Sequence, residues 1–369
     1  MKLNAPVFPP RPEILAVARE AHGAARLREL RAYGRTLDQV LDFSVNVNPF
    51  GPSPEVYRAL STARIDRYPD AEALLLKEAL AEHHQVDVNC ILVGNGVSEL
   101  LLLIALAFIR PRDRALILEP TYGEYRRYTL LMGGNVHTWR SRPEEGFRVS
   151  WEDAEKWLRE SPCHVVWLCH PNNPTGHPLP LETLASWAEA HSQTLFVVDE
   201  AYINFVPSLP SAVSLSQPNI LVLRSMTKDY ALPGLRLGYA VGHPDIIRAL
   251  AQVQPPWSVN ALAQVAGLAA LQDQHHLQQT VQQTLAAKEA LVAELQAMGW
   301  KVLAAAPPFF LMHVGNASRF RERLLQEGIL VRDGTSFGLP AYVRIGTRRP
   351  EENAQLVQVL RQLRHEFTG

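Results

Sequence analysis

Short, uninterrupted apolar segments alternate with longer helical patterns through the first two thirds of the chain. A continuous apolar segment predicts a strand that is buried on both faces of a parallel sheet. Such segments, rich in β-branched residues, lie at 90–93, 115–118, 165–169, 194–198 and 220–223. Helical patterns lie between them at 98–109, 122–132 and 181–190. The alternation predicts an α/β fold with a mainly parallel sheet flanked by helices.

The pattern changes near residue 261, which predicts a second, smaller α+β domain. Residues 261–303 are rich in Ala, Leu and Gln, contain few helix breakers and are predicted to be helical. Strand candidates at 309–313, 329–331 and 342–345 and a last helix at 351–367 follow. We therefore predict a large domain at 45–260, and a small domain that combines 1–44 with 261–369.

Composition narrows the class of function. The 369 residues carry a net charge of −1, which does not favour nucleic acid or a membrane surface as a partner. The apolar segment 100–109 is too short to span a bilayer, and residues 1–12 lack the apolar core of a signal peptide. Three cysteines without C-x-x-C spacing indicate a reducing, cytoplasmic setting. No metal is expected, because His275 and His276 lie in a Gln-rich segment that is typical of a solvated helix face.

The strongest chemical signal is a lysine, Lys228, that follows the hydroxyl residues Ser225 and Thr227 and precedes Arg236 by eight positions. Hydroxyls and a cation can hold a phosphate, and a partly desolvated lysine near a cation has a lowered pKa that favours a Schiff base with an aldehyde. Pyridoxal 5′-phosphate (PLP) is an aldehyde cofactor that carries a phosphate. Because short strings of this kind are common on surfaces, the interpretation depends on the rest of the chain.

A glycine-rich turn between the strand at 90–93 and the next helix is a candidate phosphate site. Gly96, Val97 and Ser98 would present backbone N–H groups to an anion at the start of that helix. The alternative is a plain strand–turn–helix connection. The turn predicts a phosphate site only together with a cation, which Arg236 can supply.

Polar and aromatic residues that follow apolar strands fit the ring of the same cofactor. A proline after Asn173 restricts its backbone and directs the side-chain amide toward a phenolate oxygen. Asp199 ends an apolar strand and needs a positive partner such as a pyridinium N–H, unless it caps a following helix. Tyr202 can donate to the phenolic oxygen, and Tyr122 can stack on a planar ring or belong to the core.

Two arginines, Arg332 and Arg344, lie in or beside apolar strands. An arginine with apolar neighbours needs an anion, and two of them suggest bidentate capture of a carboxylate or a phosphate. Internal salt bridges are the alternative.

Taken in this order, the segments resemble fold-type I PLP enzymes of the class I/II aminotransferase family, from about residue 22 to the C-terminus. The resemblance implies that Lys228 carries the cofactor and that Lys228, Asp199 and Tyr202 are catalytic. It also implies a homodimer with shared active sites, in which Tyr68 reaches the cofactor phosphate of the neighbour. The cofactor contacts that it implies are Gly96, Val97, Ser98, Tyr122, Asn173, Asp199, Tyr202, Ser225, Thr227, Arg236 and Tyr68.

Two subgroups of the family fit best. Histidinol-phosphate aminotransferases resemble the chain around Tyr202, Arg332 and Arg344. Threonine-phosphate decarboxylases of cobalamin synthesis resemble it at His22 and in segments 41–49 and 256–263. We expect a threonine-phosphate decarboxylase-like enzyme, with histidinol-phosphate aminotransferase or a related aminotransferase as the alternative. A PLP-fold regulator without catalysis would carry an added DNA-binding domain, which is not expected here.

The substrate is expected to be a small phosphorylated amine or amino acid, bound by Arg332, Arg344, His22 and Asn46. In a transaminase Lys228 would remove the Cα proton as a general base. In a decarboxylase carbon dioxide would leave and a proton would return to Cα. Asp229, directly after the lysine, is unusual for either subgroup.

Overall fold

The computed structural model describes residues 8–367, so most of segment 1–12, for which no signal peptide is predicted, lies outside the described residues. The helices are α1 (Pro12–Ala16), α2 (Leu27–Ala32), α3 (Pro54–Ser61), α4 (Leu74–His84), α5 (Val97–Phe108), α6 (Glu124–Leu131), α7 (Trp151–Glu160), α8 (Leu181–Ala190), α9 (Pro244–Val253), α10 (Ala261–Gln272), α11 (Gln274–Ala297), α12 (Ala317–Gln326) and α13 (Pro350–Phe367). The strands are β1 (Leu41–Asp42), β2 (Ile91–Gly94), β3 (Arg114–Glu119), β4 (Asn135–Arg140), β5 (Val165–Cys169), β6 (Leu195–Asp199), β7 (Ile220–Ser225), β8 (Gly238–Gly242), β9 (Lys301–Ala304), β10 (Phe309–His313), β11 (Ile329–Leu330), β12 (Arg332–Asp333) and β13 (Tyr342–Gly346).

A seven-stranded sheet with the order β2-β8-β7-β6-β5-β3-β4 forms the centre of the protein. All of its pairs are parallel except those of β8, which runs antiparallel to both β2 and β7. Side chains of β5 alternate between two cores: Val166 and Leu168 pack with α7 and α8, and Val165 and Trp167 pack with α5. The predicted α/β class is thus confirmed, with helices on both faces of the sheet.

The apolar pattern did not predict β4 and β8. Strand β4 is at the edge of the sheet and exposes Asn135, Thr138 and Arg140, so it lacks a continuous apolar segment. Strand β8 begins and ends with glycine. At Gly238 an added Cβ would lie 2.9 Å from the carbonyl oxygen of Arg224, so the close approach of β7 requires a glycine there.

A four-stranded antiparallel sheet, β12-β13-β10-β9, forms a second core with α11, α12 and α13. The predicted strands at 309–313 and 342–345 are confirmed, and the predicted strand at 329–331 divides into β11 and β12. The N-terminal segment joins this part of the protein, because β1 pairs with β11 and Phe43 is fully buried in the second core.

The segment 261–303, predicted to be helical, forms the two helices α10 and α11, which are separated at Asp273, and its last residues belong to β9. The Asp273 carboxylate accepts a hydrogen bond of 3.1 Å from the backbone N–H of His276 and so caps α11. Helix α10 packs into the core of the large sheet, and α11 contributes Val281 to that core and Leu295 to the second. The division at residue 260 stays a prediction, and this packing favours a boundary within α11.

Within residues 8–367 no helix is both long and apolar enough to cross a membrane. The same residues contain no group of three or more His, Cys, Asp or Glu side chains that could hold a metal ion. His276 instead lies with Nε2 3.1 Å from the carbonyl oxygen of Gly51.

Candidate active site

A cavity of about 520 Å³ lies at the carboxyl ends of β5, β6 and β7, where ligands of open α/β sheets bind. It brings together fourteen of the sixteen predicted site residues: His22, Asn46, Val97, Ser98, Tyr122, Asn173, Asp199, Tyr202, Ser225, Thr227, Lys228, Arg236, Arg332 and Arg344. Gly96 is the neighbour of Val97 and lies against Arg236. Tyr68 is not among the lining residues.

Lys228 lies in the loop that follows β7, and its backbone carbonyl accepts a 2.8 Å hydrogen bond from the N–H of Asn48. Burial lowers the pKa of its amine to about 8, and the positive charges of Arg344 and Arg236 act in the same direction. A usable fraction of the amine is therefore neutral and nucleophilic near neutral pH.

Hydroxyls, helix N–H groups and a guanidinium converge beside Lys228. The Ser225 and Thr227 hydroxyl oxygens lie 2.8 Å apart. No side chain caps α5, whose first N–H groups belong to Val97 and Ser98. Gly96 has a φ of 76°, and an added Cβ there would lie 2.7 Å from Nη2 of Arg236. The two hydroxyls, the N-terminal end of α5 with its helix dipole and the positive charge of Arg236 together fit a phosphate.

Asp199 is buried at the end of β6 with both carboxylate oxygens engaged. The Tyr125 hydroxyl donates to Oδ2 at 2.8 Å, and the backbone N–H of Ala201 donates to Oδ1 at 3.0 Å. Burial raises the pKa of Asp199 to about 6, although the Tyr125 hydrogen bond opposes this effect. Asp199 does not cap the 3₁₀ turn at Ile203–Phe205, so the capping alternative is wrong. A buried acid of this kind fits a cationic ring nitrogen.

Tyr125, the hydroxyl partner of Asp199, was missed by sequence reasoning. It lies three residues after Tyr122, so both rings fall on one face of the segment that starts α6. The two rings meet edge to face with centroids 5.5 Å apart. Tyr122 lines the cavity, and burial raises the pKa of its hydroxyl. Its predicted stacking on a ring stays a prediction.

Asn46 and Asn173 each form a hydrogen bond to another predicted site residue of the cavity. The Asn46 amide donates to the Tyr202 hydroxyl at 3.3 Å, while its own Oδ1 is buried without a partner. Asn173 Oδ1 accepts a 2.6 Å hydrogen bond from Nη1 of Arg344. Its amide N–H₂ group is left for another acceptor, as the predicted contact with a phenolate oxygen requires.

Arg332 and Arg344 are buried in the cavity wall. Arg344 also donates to the Ser44 carbonyl at 2.6 Å, and its Nε has no partner. Arg332 donates to the Ala21 carbonyl and, at 2.6 Å, to the Ser336 hydroxyl. Burial lowers the pKa of Arg332 to about 10 and also lowers the pKa of Arg344. Neither guanidinium forms a salt bridge within the described residues, so the alternative of internal ion pairs is wrong.

Two acidic residues in or beside the cavity, Glu20 and Glu124, were also missed. Nε2 of His22 lies 2.9 Å from Oε1 of Glu124, whose other oxygen accepts from Arg127 at 3.0 Å. Burial alone would raise the pKa of Glu124, but the hydrogen bonds from His22 and Arg127 outweigh burial and lower it. The Glu20 carboxylate lines the cavity and lies against Gly123. The contact with Glu124 holds the imidazole of His22, whose ring lies 5.9 Å from that of Tyr122.

Tyr68 lies on the surface, 77% exposed, with its ring stacked on Trp257 at a centroid distance of 4.6 Å. It does not reach the cavity of its own chain. Its predicted contact with the cofactor of a neighbour stays a prediction.

The residues present fit PLP. The cavity pairs a phosphate cup with a nucleophilic lysine, and Asp199 lies buried where a cationic ring nitrogen would be stabilised. Two buried atoms have no hydrogen-bond partner: Oδ1 of Asn46 can accept from a ligand, and Nε of Arg344 can donate to one.

Comparisons with known proteins identify the family of the chain. The model of the family "Aminotransferase class I and II" matches residues 38–360. Histidinol-phosphate aminotransferase from Moorella thermoacetica is 35% identical over 336 residues, covering 88% of this chain and 85% of the relative. Threonine-phosphate decarboxylase from Salmonella typhimurium is 36% identical over 369 residues, covering 94% and 97%.

A solved structure supports the same assignment. Histidinol-phosphate aminotransferase from Sinorhizobium meliloti, in complex with pyridoxal-5′-phosphate, superposes with a TM-score of 0.87 at 25% identity, covering 99% of this chain and 100% of that chain. Family, fold and cavity agree on the cofactor. The chain belongs to the class I and II aminotransferase family and is a PLP-dependent enzyme.

Proposed function

We propose that the protein is a PLP-dependent aminotransferase of the histidinol-phosphate type, which acts on a small phosphorylated amine. This reverses the order of the two expectations from the sequence, where the decarboxylase stood first. Support comes from the relatives, since several strong matches besides that of Moorella thermoacetica bear the name histidinol-phosphate aminotransferase. A cytoplasmic location stays a prediction.

The pair Arg332 and Arg344 carries the proposal. Transamination needs two substrates in turn, a phosphorylated amine and a 2-oxo acid, and both bring anionic groups. The two guanidiniums are buried, share one cavity with Lys228 and form no salt bridge within residues 8–367. They can therefore meet a phosphate in one half of the reaction and a carboxylate in the other.

The chain's own residues can perform the proton transfer. When bound, PLP withdraws electrons from the substrate carbon beside the amine nitrogen. Lys228 Nζ, whose pKa is about 8, can take a proton from that carbon as a general base and then donate the proton again as a general acid. Asp199 holds a negative charge in a dry site, while Asn173 orients Arg344 toward a substrate anion.

Decarboxylation of threonine phosphate is the second candidate, and His22 favours it. Glu124 holds this imidazole, which lines the same cavity as Arg332 and adds a third group for a substrate with both a phosphate and a carboxylate. The decarboxylase relative also matches 94% of the chain, a larger share than the 88% of the aminotransferase from Moorella thermoacetica.

One set of assays separates the two reactions. The purified enzyme is incubated with histidinol phosphate or with O-phosphothreonine, each with and without 2-oxoglutarate, and amine transfer and carbon dioxide are measured. We expect conversion of histidinol phosphate only when the 2-oxo acid is present. Carbon dioxide release from O-phosphothreonine without a 2-oxo acid would replace the proposal by the second candidate. Lys228→Ala should be inactive in every mixture.

We also propose that the enzyme is a homodimer with shared active sites. The exposed Tyr68–Trp257 aromatic pair supports this, because a tyrosine predicted to bind a cofactor phosphate lies outside its own cavity. If a second copy of the chain packed against this surface, both rings would be buried in the interface.

A further inference from the structure

Asp229 is a buried acid directly after the cofactor lysine, and neither proposed reaction uses it. The residue is 3% exposed, and its side chain is not part of the cavity lining. A carboxylate in such a position needs hydrogen bonds and a compensating charge. Its neighbours therefore indicate what it does.

Asp229 is joined to a buried ion pair through one amide. Asn204 donates to its Oδ2 at 2.6 Å, and the backbone N–H of Tyr230 donates to its Oδ1 at 2.9 Å. The other end of the same amide, Oδ1 of Asn204, accepts from Arg224 at 2.6 Å. Arg224 in turn pairs with Glu200 at 3.2 Å. The carboxylate is thus fixed in place by groups from the segments that follow β6 and β7.

The backbone between Lys228 and Asp229 is fixed as well. Asn48 donates its N–H to the Lys228 carbonyl at 2.8 Å and its side-chain amide to the Asp229 carbonyl at 2.9 Å. The same amide donates to the Thr280 hydroxyl at 2.7 Å. Because these contacts hold both carbonyls, the lysine and the acid keep one relative orientation.

The charges in this network do not balance. One cation, Arg224, faces two acids, Glu200 and Asp229. Burial raises the pKa of Asp229 to about 6, while Arg224 and the hydrogen bonds oppose the rise, so the carboxylate is ionised at neutral pH. The cation that immediately adjoins this excess negative charge in the chain is Lys228.

The other ionisable groups around the network are uncharged at neutral pH. Burial raises the pKa of the Tyr230 and Tyr239 hydroxyls. Burial and Arg224 lower the pKa of His84 to about 3 and also lower that of His83. None of these side chains neutralises Asp229.

We propose that Asp229 is a positioning residue for Lys228: a fixed negative charge next to the lysine in the chain that favours the protonated form of its nitrogen. Arg344 and Arg236 act in the opposite direction from the cavity side, and Asp199 acts in the same direction as Asp229. The inference rests on the PLP-bound lysine alone and applies equally to transamination and to decarboxylation.

Asp229→Asn tests the charge with little change of shape, because an amide oxygen can still accept from Asn204. The visible absorption band of the cofactor in the full-length holoenzyme is titrated with pH. Loss of the charge should lower the pH midpoint of this titration by about half a unit. This shift corresponds to about a threefold change in the ratio of the protonated to the neutral form of the Lys228 nitrogen. A purely structural role would weaken the band at every pH and leave the midpoint unchanged, and that result would overturn the proposal.

Asn204→Ala provides a second variant in case Asp229→Asn does not fold. It removes a donor to the Asp229 carboxylate, which then takes up a proton more easily, so the midpoint should move in the same direction. A midpoint equal to that of the wild type in this variant also contradicts the proposal. Asp153→Asn, which neutralises an exposed acid on α7, is the matched control and should keep the wild-type midpoint.

Discussion

Burial acts in opposite directions on the two ionisable residues at the centre of the cavity. It lowers the pKa of Lys228 to about 8 and raises the pKa of Asp199 to about 6. In both cases the neutral form is favoured, because the low-polarity interior penalises charge. A ligand that reacts with the neutral amine and brings a cationic ring nitrogen relieves both penalties.

Lys228→Ala should abolish the visible band that appears when PLP is added to the cofactor-free protein. In the wild type the rate of cofactor uptake should rise with pH and level off above about pH 8, since only the neutral amine is nucleophilic. Stopped-flow absorbance measures both. Lys156→Ala, on the exposed face of α7, should behave as the wild type. A band that persists in Lys228→Ala would show that another residue holds the cofactor.

Asp199→Asn should stabilise the cofactor-free protein and impair the enzyme. Since the folded-state pKa of Asp199 is raised, ionisation between about pH 4 and pH 6 costs stability, and the full cost is present above about pH 6. The amide should therefore raise the free energy of unfolding by on the order of 1–2 kcal/mol at neutral pH. Turnover should fall about 100-fold, because a charge aimed at the ring is lost.

Urea unfolding at two pH values checks the cause of the gain in stability. Near pH 4 the carboxyl group is protonated in the folded protein, so the advantage of the amide should vanish. An equal gain at both pH values would indicate altered packing instead of a removed charge.

At the scale of elements, the phosphate cup depends on how β2 is joined to α5. The helix begins at Val97 without a side-chain cap, and the turn before it brings Gly96 within contact of Arg236 from the loop before β8. The glycine-rich pattern predicted such a turn, but it could not show that Arg236 lies against it. That contact exists because β8 inserts between β2 and β7, and no apolar pattern indicated β8.

Gly96→Ala should weaken cofactor binding more than it destabilises the fold. The added Cβ would lie 2.7 Å from Nη2 of Arg236 and displace that side chain from the cup. We expect the Kd for PLP to rise at least about tenfold, the loss of one charge-assisted contact. Equilibrium dialysis or fluorescence titration measures the Kd.

Gly34→Ala is the matched control for this change. Gly34 has a similar φ of 65°, and an added Cβ would meet nothing within 4 Å. Both variants place an alanine at positive φ, which costs about 1 kcal/mol, and Gly96, with its ψ of 164°, lies in a region that only glycine adopts readily. If Gly34→Ala weakened PLP binding as much as Gly96→Ala, the effect would come from strain and the cup would be wrongly assigned.

At the scale of the whole molecule, the cavity draws on both sheets and on the N-terminal segment. Lys228 and Asp199 come from the large sheet, Arg332 and Arg344 from the small one, and His22 precedes β1. Any movement of the small sheet relative to the large one would change the distance between the substrate arginines and the lysine. Tyr68 remains outside this arrangement, whereas Gly96, which does not line the cavity itself, lies against Arg236.

Mixed dimers test whether Tyr68 acts on a neighbouring subunit. Lys228→Ala and Tyr68→Phe subunits, each impaired as homodimers, are unfolded together, refolded and assayed for turnover. If the tyrosine acts across the interface, the hybrid contains one site with both native residues, and activity should exceed that of either parent. If it acts within its own chain, no hybrid site is intact and activity should not exceed that of Tyr68→Phe.

The sequence by itself determined the elements whose local pattern is unambiguous. The strands around 165–169 and 194–198 are buried on both faces, so continuous apolar segments identified them, and Asp199, at the end of the second, was a predicted site residue. The family resemblance supplied the roles of Lys228 and Asp199. These predictions depend on residues that are neighbours in the chain or on the order of motifs, and both can be read directly from the sequence.

Tertiary structure alone decided the contacts between distant residues. The Tyr125 hydroxyl on Asp199, the pairing of His22 with Glu124 and the network from Asp229 to Glu200 join positions that no local pattern relates. The pKa values follow from the same source, because desolvation depends on what covers a group in three dimensions. The choice between the two reactions belongs to this level too, since it depends on where Arg332 and Arg344 hold the substrate relative to Lys228.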